Sequence, residues 1–381
     1  MSYYDIIKSD TVNHYHLFSE SEVNNLKNTV SGEKLAAFRN DMEDLFDAPL
    51  ESVTEKKRSV PGIERNDYVS LATYFWPDEN NPDGPYIQRD GFVNPDGALY
   101  DKDKLKRLAY LVYHSAVLYF ITGEERYTDL IKKHLRNWFV NPETRMNPHL
   151  EYGQFIPGKV KGRAEGIIDY GAGFTYALNL IHLLDKRGVL EAELKHGLAQ
   201  WHRDFRRWLL ESEIGRTEGR AGNNHGTFYD MILTVIEQFL EMNSEVDNRA
   251  DSLGKRMEEQ IAPDFSLPRE TARTRSVSYS FMGLKGLFEL AILTERLGAD
   301  SRSRFFPRLK NSADWLVDRA IVHRESWPHA QVVPFDEGSF LLFRELLNGV
   351  YGPEYDHIQN YVNPENIQNP VLYHLFYREE T

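Results

Sequence analysis

Cysteine is absent from all 381 residues, which excludes disulfides, thiolate metal sites, iron–sulfur clusters and a Cys nucleophile in one observation. Long apolar runs are missing too. None approaches the roughly 18 residues needed to span a bilayer, so no membrane partner is expected. Residues 1–10 lack the basic start and apolar stretch of a signal peptide. Positive charge is in deficit, with 45 Lys plus Arg against 58 Asp plus Glu and a formal net charge of −13. That balance argues against nucleic acid as a partner, and an acidic ligand would need a locally basic site. What is present is 41% apolar and 13% aromatic residues along the whole length, the composition of a folded enzyme or binding protein with a sizeable core.

Apolar residues recur at helical spacing through most of the chain, as in Leu105, Leu108, Leu111, Val112, Ala116, Val117 and Phe120, and again in Leu130, Ile131, Leu135 and Trp138. The pattern predicts helices over 20–30, 34–48, 102–122, 125–139, 166–186, 190–212, 225–243, 247–261, 278–297, 301–320, 335–349 and 366–377. Short polar turns such as Thr122-Gly123-Glu124 and Lys186-Arg187-Gly188 join neighbouring helices into antiparallel hairpins. Long Pro/Gly-rich loops, 62–101, 140–164, 213–224 and 262–277, separate successive hairpins. A weak echo places a Trp near the end of an amphipathic helix at 130–139, 198–210 and 308–317. Solenoid repeats would be shorter and more regular. The expectation is an all-α, single-domain (α/α) toroid or barrel over 1–381, its long loops forming a cleft or tunnel at one rim.

Three segments could carry chemistry. Gly222-Asn223-Asn224-His225-Gly226-Thr227 precedes an apolar helix, so one Asn is expected to cap it with the His packed. Two amides and an imidazole at a helix N-terminus equally make a carboxylate site. Arg269, Arg273 and Arg275 precede Tyr279; such a charge run is commonly a solvated face, yet guanidinium groups beside a phenol stabilise its phenolate and equip it as a base. The loop 146–155, followed by Lys159, Lys161 and Arg163, either covers the barrel end or draws an acidic substrate. Gly171-Ala172-Gly173 lies within a helical pattern and follows no strand, so it is no dinucleotide loop. Asp78, Glu79, Asn80, Asn81 and Asp83 sit among Pro77, Pro82 and Gly84, which reads as a turn cluster rather than a Ca²⁺ loop. Glu165 with Asp169, or Asp230 with Glu270, could serve a glycoside hydrolase; non-catalytic polysaccharide binding is a further alternative.

The segments Asp67-Tyr68-Val69-Ser70-Leu71-Ala72, Tyr74-Phe75-Trp76-Pro77, Met146 to Gln154, Gly166 to Asp169, Asn223 to Asp230, Leu267-Pro268-Arg269-Glu270 and Tyr279 follow in an order that resembles the alginate lyase superfamily of α-helical polysaccharide lyases, over about residues 60–300. The resemblance implies an α/α toroid that cleaves a uronate polymer by β-elimination, alginate first and β-glucuronan second. It implies Asn224, His225 and Arg273 as neutralisers of the substrate carboxylate, with Arg275 the alternative to Arg273. Tyr279 would be base and acid in a syn elimination; in an anti elimination His225 would be the base and Tyr279 the acid. No metal or cofactor is required. Substrate contacts are expected from Trp76, Tyr86, Tyr152, Gln154, Lys159, Lys161, Arg163, Asn223, Arg269 and Arg275, and the location is expected to be periplasmic or secreted.

Overall fold

The structure is a computed structural model and describes residues 15–30 and 32–367. In chain order the longer helices are α1 Glu20–Thr29, α2 Gly32–Asp41, α3 Lys102–Thr122, α4 Glu125–Leu135, α5 Phe174–Lys186, α6 Ala192–Glu211, α7 Glu213–Gly219, α8 Asn224–Phe239, α9 Val246–Gln260, α10 Ser276–Arg296, α11 Ser301–Val317 and α12 Gly338–Tyr351. They divide by burial into two tiers. In α5 every residue from Phe174 to Leu184 is buried, and α3, α8 and α10 are buried nearly all round. Helices apolar on every side must lie in the interior. By contrast α6 buries one stripe, Leu194, Leu198, Trp201, Phe205 and Leu209, and so can only cover.

Packing follows from these faces. The inner helices touch in the order α3, α5, α8, α10, while α4, α9 and α11 return as the outer partners of α3, α8 and α10. At one end α1 leans on α3; at the other, α12 meets α10 where Phe281 packs on Phe340 and Phe343, with ring centroids 5.2 and 5.1 Å away. Helix α10 serves two buried apolar clusters, sending Met282 and Leu293 into one and Phe281, Leu284 and Leu287 into the other. This is the expected all-α toroid of hairpins. Among the described residues no helix is long and apolar enough to cross a membrane.

Some element bounds differ from the pattern. The helix expected over 34–48 stops at Asp41 and continues only as a 3-10 turn, Glu43–Leu45. The stretch 166–186 is broken: a 3-10 turn, Ala164–Ile167, and a one-turn helix, Ile168–Gly171, precede Gly173, whose φ/ψ of −147°/−61° swings the chain into α5. Gly171-Ala172-Gly173 is therefore a break rather than a helix interior. At the break the chain passes close to α3, where a Cβ on Gly173 would come within 3.2 Å of the Ala109 methyl. The helical patterns over 125–139 and 301–320 end in wider π turns, Arg136–Val140 and Asp318–Val322. The loop 213–224 holds α7, capped by the Ser212 hydroxyl accepting from the Gly215 amide at 2.9 Å. The helix expected over 366–377 lies, from residue 368 on, outside the described residues; Asn366 closes a 3-10 turn.

The two longest loops are not structureless. Strand β1 Val69–Leu71 pairs in parallel with β4 Tyr152–Phe155, and β2 Phe75–Trp76 pairs antiparallel with β3 Ile87–Gln88. Gly153 in β4 lies on Gly166, where an added Cβ would stand 2.5 Å from the Gly153 carbonyl carbon. Only glycine allows that approach, and it seats β4 against the inner tier.

Candidate active site

One cleft of about 760 Å³ opens at the rim where those strands sit. Its lining includes Lys102 to Ala109 positions of α3, Phe174 of α5, Asn223 to His225 at the start of α8, and Ser278, Tyr279 and Met282 of α10. All four inner helices thus present their N-terminal ends to one cavity. Each such end carries the positive end of a helix dipole. Lys102, Lys106, Arg107, Arg163 and Arg273 line the cavity together with Asp103, Glu165 and Asp169, a cation-rich patch in a protein whose net charge is −13.

The capping reading of the Asn-Asn-His segment holds for Asn223. The Asn223 side chain caps α8 by accepting from the His225 amide at 3.2 Å. Asn224, fully buried, is held by Glu270, whose carboxylate accepts from its backbone N–H at 3.0 Å and from Nδ2 at 2.7 Å. The Oδ1 of Asn224 has no partner among the described residues. Burial pushes the Glu270 carboxyl up, against the pull of the two Asn224 hydrogen bonds and of His225 and Arg273. His225 Nδ1 lies 2.6 Å from Oε1 of Glu218 on α7. Burial alone would strip its proton, but the charge and hydrogen bond of Glu218, with Glu165 and Glu270, outweigh burial and raise the imidazole.

Tyr279 lines the same cleft. The Tyr279 hydroxyl is 2.9 Å from the Tyr74 hydroxyl and accepts from Arg273 Nη2 at 3.1 Å, and the guanidinium carbon sits 4.0 Å from its ring centre. Arg273 is itself gripped by Asp90, at 2.6 Å through Nη2 and 3.3 Å through Nε, and Asp90 also accepts from the Thr274 hydroxyl at 2.9 Å. Burial opposes the Arg273 charge, but Asp90 and the two tyrosines more than offset it and hold the guanidinium protonated. The same contacts, against burial, keep the Asp90 carboxyl below its usual range. Arg275 is turned otherwise, donating Nε to the Gly91 carbonyl at 2.9 Å, with its guanidinium 5.8 Å from the Tyr74 ring.

Of the residues singled out in the sequence, Asn223, Asn224, His225, Arg273, Tyr279, Gln154 and Arg163 line the cleft. Gln154, at φ 50°, donates Nε2 to Asp169 at 3.2 Å, and Arg163 forms a 3.2 Å ion pair with Glu165. Trp76, Tyr152, Lys159, Lys161, Arg269 and Arg275 are outside the lining. Trp76 stands on the rim hairpin, donating Nε1 to the Phe92 carbonyl at 2.9 Å; Tyr152 meets His149 edge-on at 6.1 Å. Lys159 and Lys161 are exposed on the turn after β4. Arg269 lies over Gly222, where a Cβ would meet its Nη1 at 2.2 Å. Of the carboxylates that could have served a hydrolase, Glu165 and Asp169 also line the cleft, but all four already have partners, Glu165 in its pair with Arg163. Asp169 accepts from Tyr68, Ser70 and Gln154 and pairs with Lys102 at 2.8 Å; Asp230 pairs with Arg256 at 3.0 Å; Glu270 holds Asn224. Asp90 and Glu218 were not singled out; Tyr74 was named only within a matching segment and given no role, and Glu270 was named for a different task. None has a local signal, because each acts on a partner in another element.

The alginate lyase family profile matches residues 52–327. Among solved structures the chain is similar to an alginate lyase from Bacteroides ovatus, at 26% identity and a TM-score of 0.85, covering 96% of this chain and 99% of that one. Two variants of alginate lyase A1-III, each complexed with tetrasaccharide, share its fold at 14% identity with TM-scores of 0.61 and 0.57, covering 98% of this chain and 98% of theirs. No curated protein matches it.

Proposed function

The chain belongs to the alginate lyase family and is a polysaccharide lyase, and on that premise we propose that it cleaves alginate within the polymer by β-elimination at the cleft lined by Asn224, His225, Arg273 and Tyr279. The C5 proton of a uronate lies α to a carboxylate whose negative charge opposes carbanion formation. Donors that neutralise that carboxylate lower the barrier. Asn224, His225 and Arg273 are the donors, the first two at the start of α8 where the helix dipole adds to them. Tyr279, under the Arg273 guanidinium, is stabilised as phenolate and removes the C5 proton. The C5–H electrons form the C4=C5 bond as C4–O4 breaks, and the phenol returns its proton to O4. The products are a 4,5-unsaturated uronate at a new non-reducing end and, on the sugar that departs with the bridging oxygen, a free anomeric hydroxyl at a new reducing end, with no water consumed.

The observation that carries this reading is one cleft lined both by Tyr279, with Arg273 on its hydroxyl, and by Asn224 and His225. Arg163 in the cleft and Lys159, Lys161, Arg269 and Arg275 around it supply cations for neighbouring uronate units. The whole chain serves as one catalytic domain, and its polymer substrate places it in the periplasm or outside the cell. The test is ultraviolet absorbance over time with alginate, β-glucuronan, pectate and a neutral glucan, because elimination creates a conjugated C4=C5 bond and hydrolysis does not. Absorbance rising on alginate is the expected result. Tyr279→Phe should lower that rate by 10² or more with folding intact, on the order expected for a general acid–base group. Reducing ends appearing without absorbance would replace the proposal with hydrolysis.

A further inference from the structure

The chemistry above leaves one carboxylate beside the site without a task. Glu218 is 2% exposed, lies on α7, does not line the cleft, and yet has an oxygen 2.6 Å from Nδ1 of His225. We propose that Glu218 is a positioning residue: gripping Nδ1 from the blind side of the cleft, it keeps the His225 ring doubly protonated with Nε2–H presented to the uronate carboxylate, which withholds His225 from the role of base and leaves Tyr279 to both accept and return the proton. This rests on the elimination reading and decides between its two forms.

The argument is geometric. A carboxylate only accepts hydrogen bonds, so a 2.6 Å contact requires the proton on Nδ1. The ring then offers Nε2 to the cleft that His225 lines. Whether Nε2 carries a proton depends on the charges around it. Glu218 on α7, Glu165 on the turn Ala164–Ile167 and Glu270 on the one-turn helix Pro268–Thr271 favour the cation. Against it stand the N-terminus of α8 itself, Arg256 of α9, whose Nη1 would lie 2.5 Å from a Cβ on Gly226, and Arg163 and Arg273 in the same lining. Of these groups Glu218 is the one hydrogen-bonded to the ring, and it is buried. A bound uronate adds a second carboxylate on the other side of the ring, and an imidazole between two carboxylates holds its proton. Asp90 grips Arg273 and Glu270 grips Asn224 in the same manner, so each neutralising donor is backed by an acidic group that does not face the substrate.

The experiment compares kcat and KM for alginate across pH in wild type, Glu218→Gln and Glu218→Asp. The Gln amide oxygen can still accept from Nδ1, so ring orientation persists while the charge is lost. The expected result is an alkaline limb, the loss of the imidazolium, that moves to lower pH in Glu218→Gln. On that account kcat at mildly alkaline pH falls at least about tenfold, the equivalent of one pH unit, with KM changed less than about threefold. Glu218→Asp should return the limb part of the way. A limb that moves on the acid side, with Glu218→Gln more active at low pH, would mean that His225 is the base and would overturn the proposal, as would a profile that does not move. Nitrogen NMR of the wild-type imidazole, assigned by its loss in His225→Gln, reads the same point if Glu218→Gln does not fold: protons on both nitrogens at neutral pH support the proposal, and one alone defeats it. A wild type that yields no C4=C5 absorbance from any uronan would sink the elimination reading instead, a result distinct from either profile.

Discussion

At the scale of single residues, the site is a set of donors held by acids. Asn224 shows why the holding group matters. Its amide can neutralise a uronate only if the N–H end is fixed, and Glu270 fixes it by accepting from both the backbone N–H and Nδ2. Glu270→Gln puts a second amide N–H₂ against those donors, so Asn224 must turn. We expect kcat to fall by about 10–100-fold, somewhat less than the loss of a whole oxyanion-type donor, while the fold survives; initial rates at saturating alginate check this. Arg273 and Arg275 part company at the same scale. The two are neighbours but one, and Asp90 takes Arg273 while the Gly91 carbonyl takes Arg275.

Among elements, two contacts set the geometry of the cleft. Strand β4 carries Gln154 into it only because Gly153 and Gly166 touch. Gly166→Ala should push β4 outward, costing about 1–3 kcal/mol as an overpacked contact does, and should lower both the melting temperature and the rate; a variant that melts and turns over like wild type would refute this role. The second contact joins α5 to α10. Lys285 donates to Glu289 at 2.7 Å and to the Tyr176 hydroxyl at 3.0 Å, and Tyr176 donates to Glu289 at 2.6 Å, all buried. Burial pulls the Lys285 ammonium down despite Glu289. Removing one partner leaves a buried charge alone, so Lys285→Met should destabilise by about 3–5 kcal/mol, and pairing it with Glu289→Leu should restore much of that loss. Denaturant midpoints of the two variants are the measurement.

For the whole molecule, stability should depend on acid. Burial lowers His134, His182 and His202 to about 4 from an ordinary 6.5. The unfolded chain takes up these protons first as pH falls. The sign is therefore a contribution fully present above about 6.5 and lost as pH drops toward about 4, with roughly 3 kcal/mol per histidine as an upper bound. Asp90, lowered in the fold, acts in the same direction, its contribution lost on acidification through its folded value. Melting temperature should fall steadily between neutral pH and pH 4. His202→Phe, whose ring would keep the contacts with Phe139 and Trp201, should flatten part of that slope while sacrificing the bond to the Tyr170 hydroxyl.

What the sequence determined by itself is whatever depends on near neighbours. Helix α3 matches its expected bounds at both ends, because apolar spacing defines its length and Gly123, at φ 73°, closes it in the left-handed region. The hairpins and the toroid class follow from the same periodicity, and the Asn-Asn-His segment and Tyr279 were legible because each opens a helix. The tertiary structure alone decided what spans distance. Tyr74 and Asp90 reach Tyr279 and Arg273 across 205 and 183 residues, and Gly173 at the helix break lies against Ala109 of α3. Such contacts leave no period in the chain. They come from the closing of the inner helices into one wall, which is also what brings four helix N-termini to a single cavity.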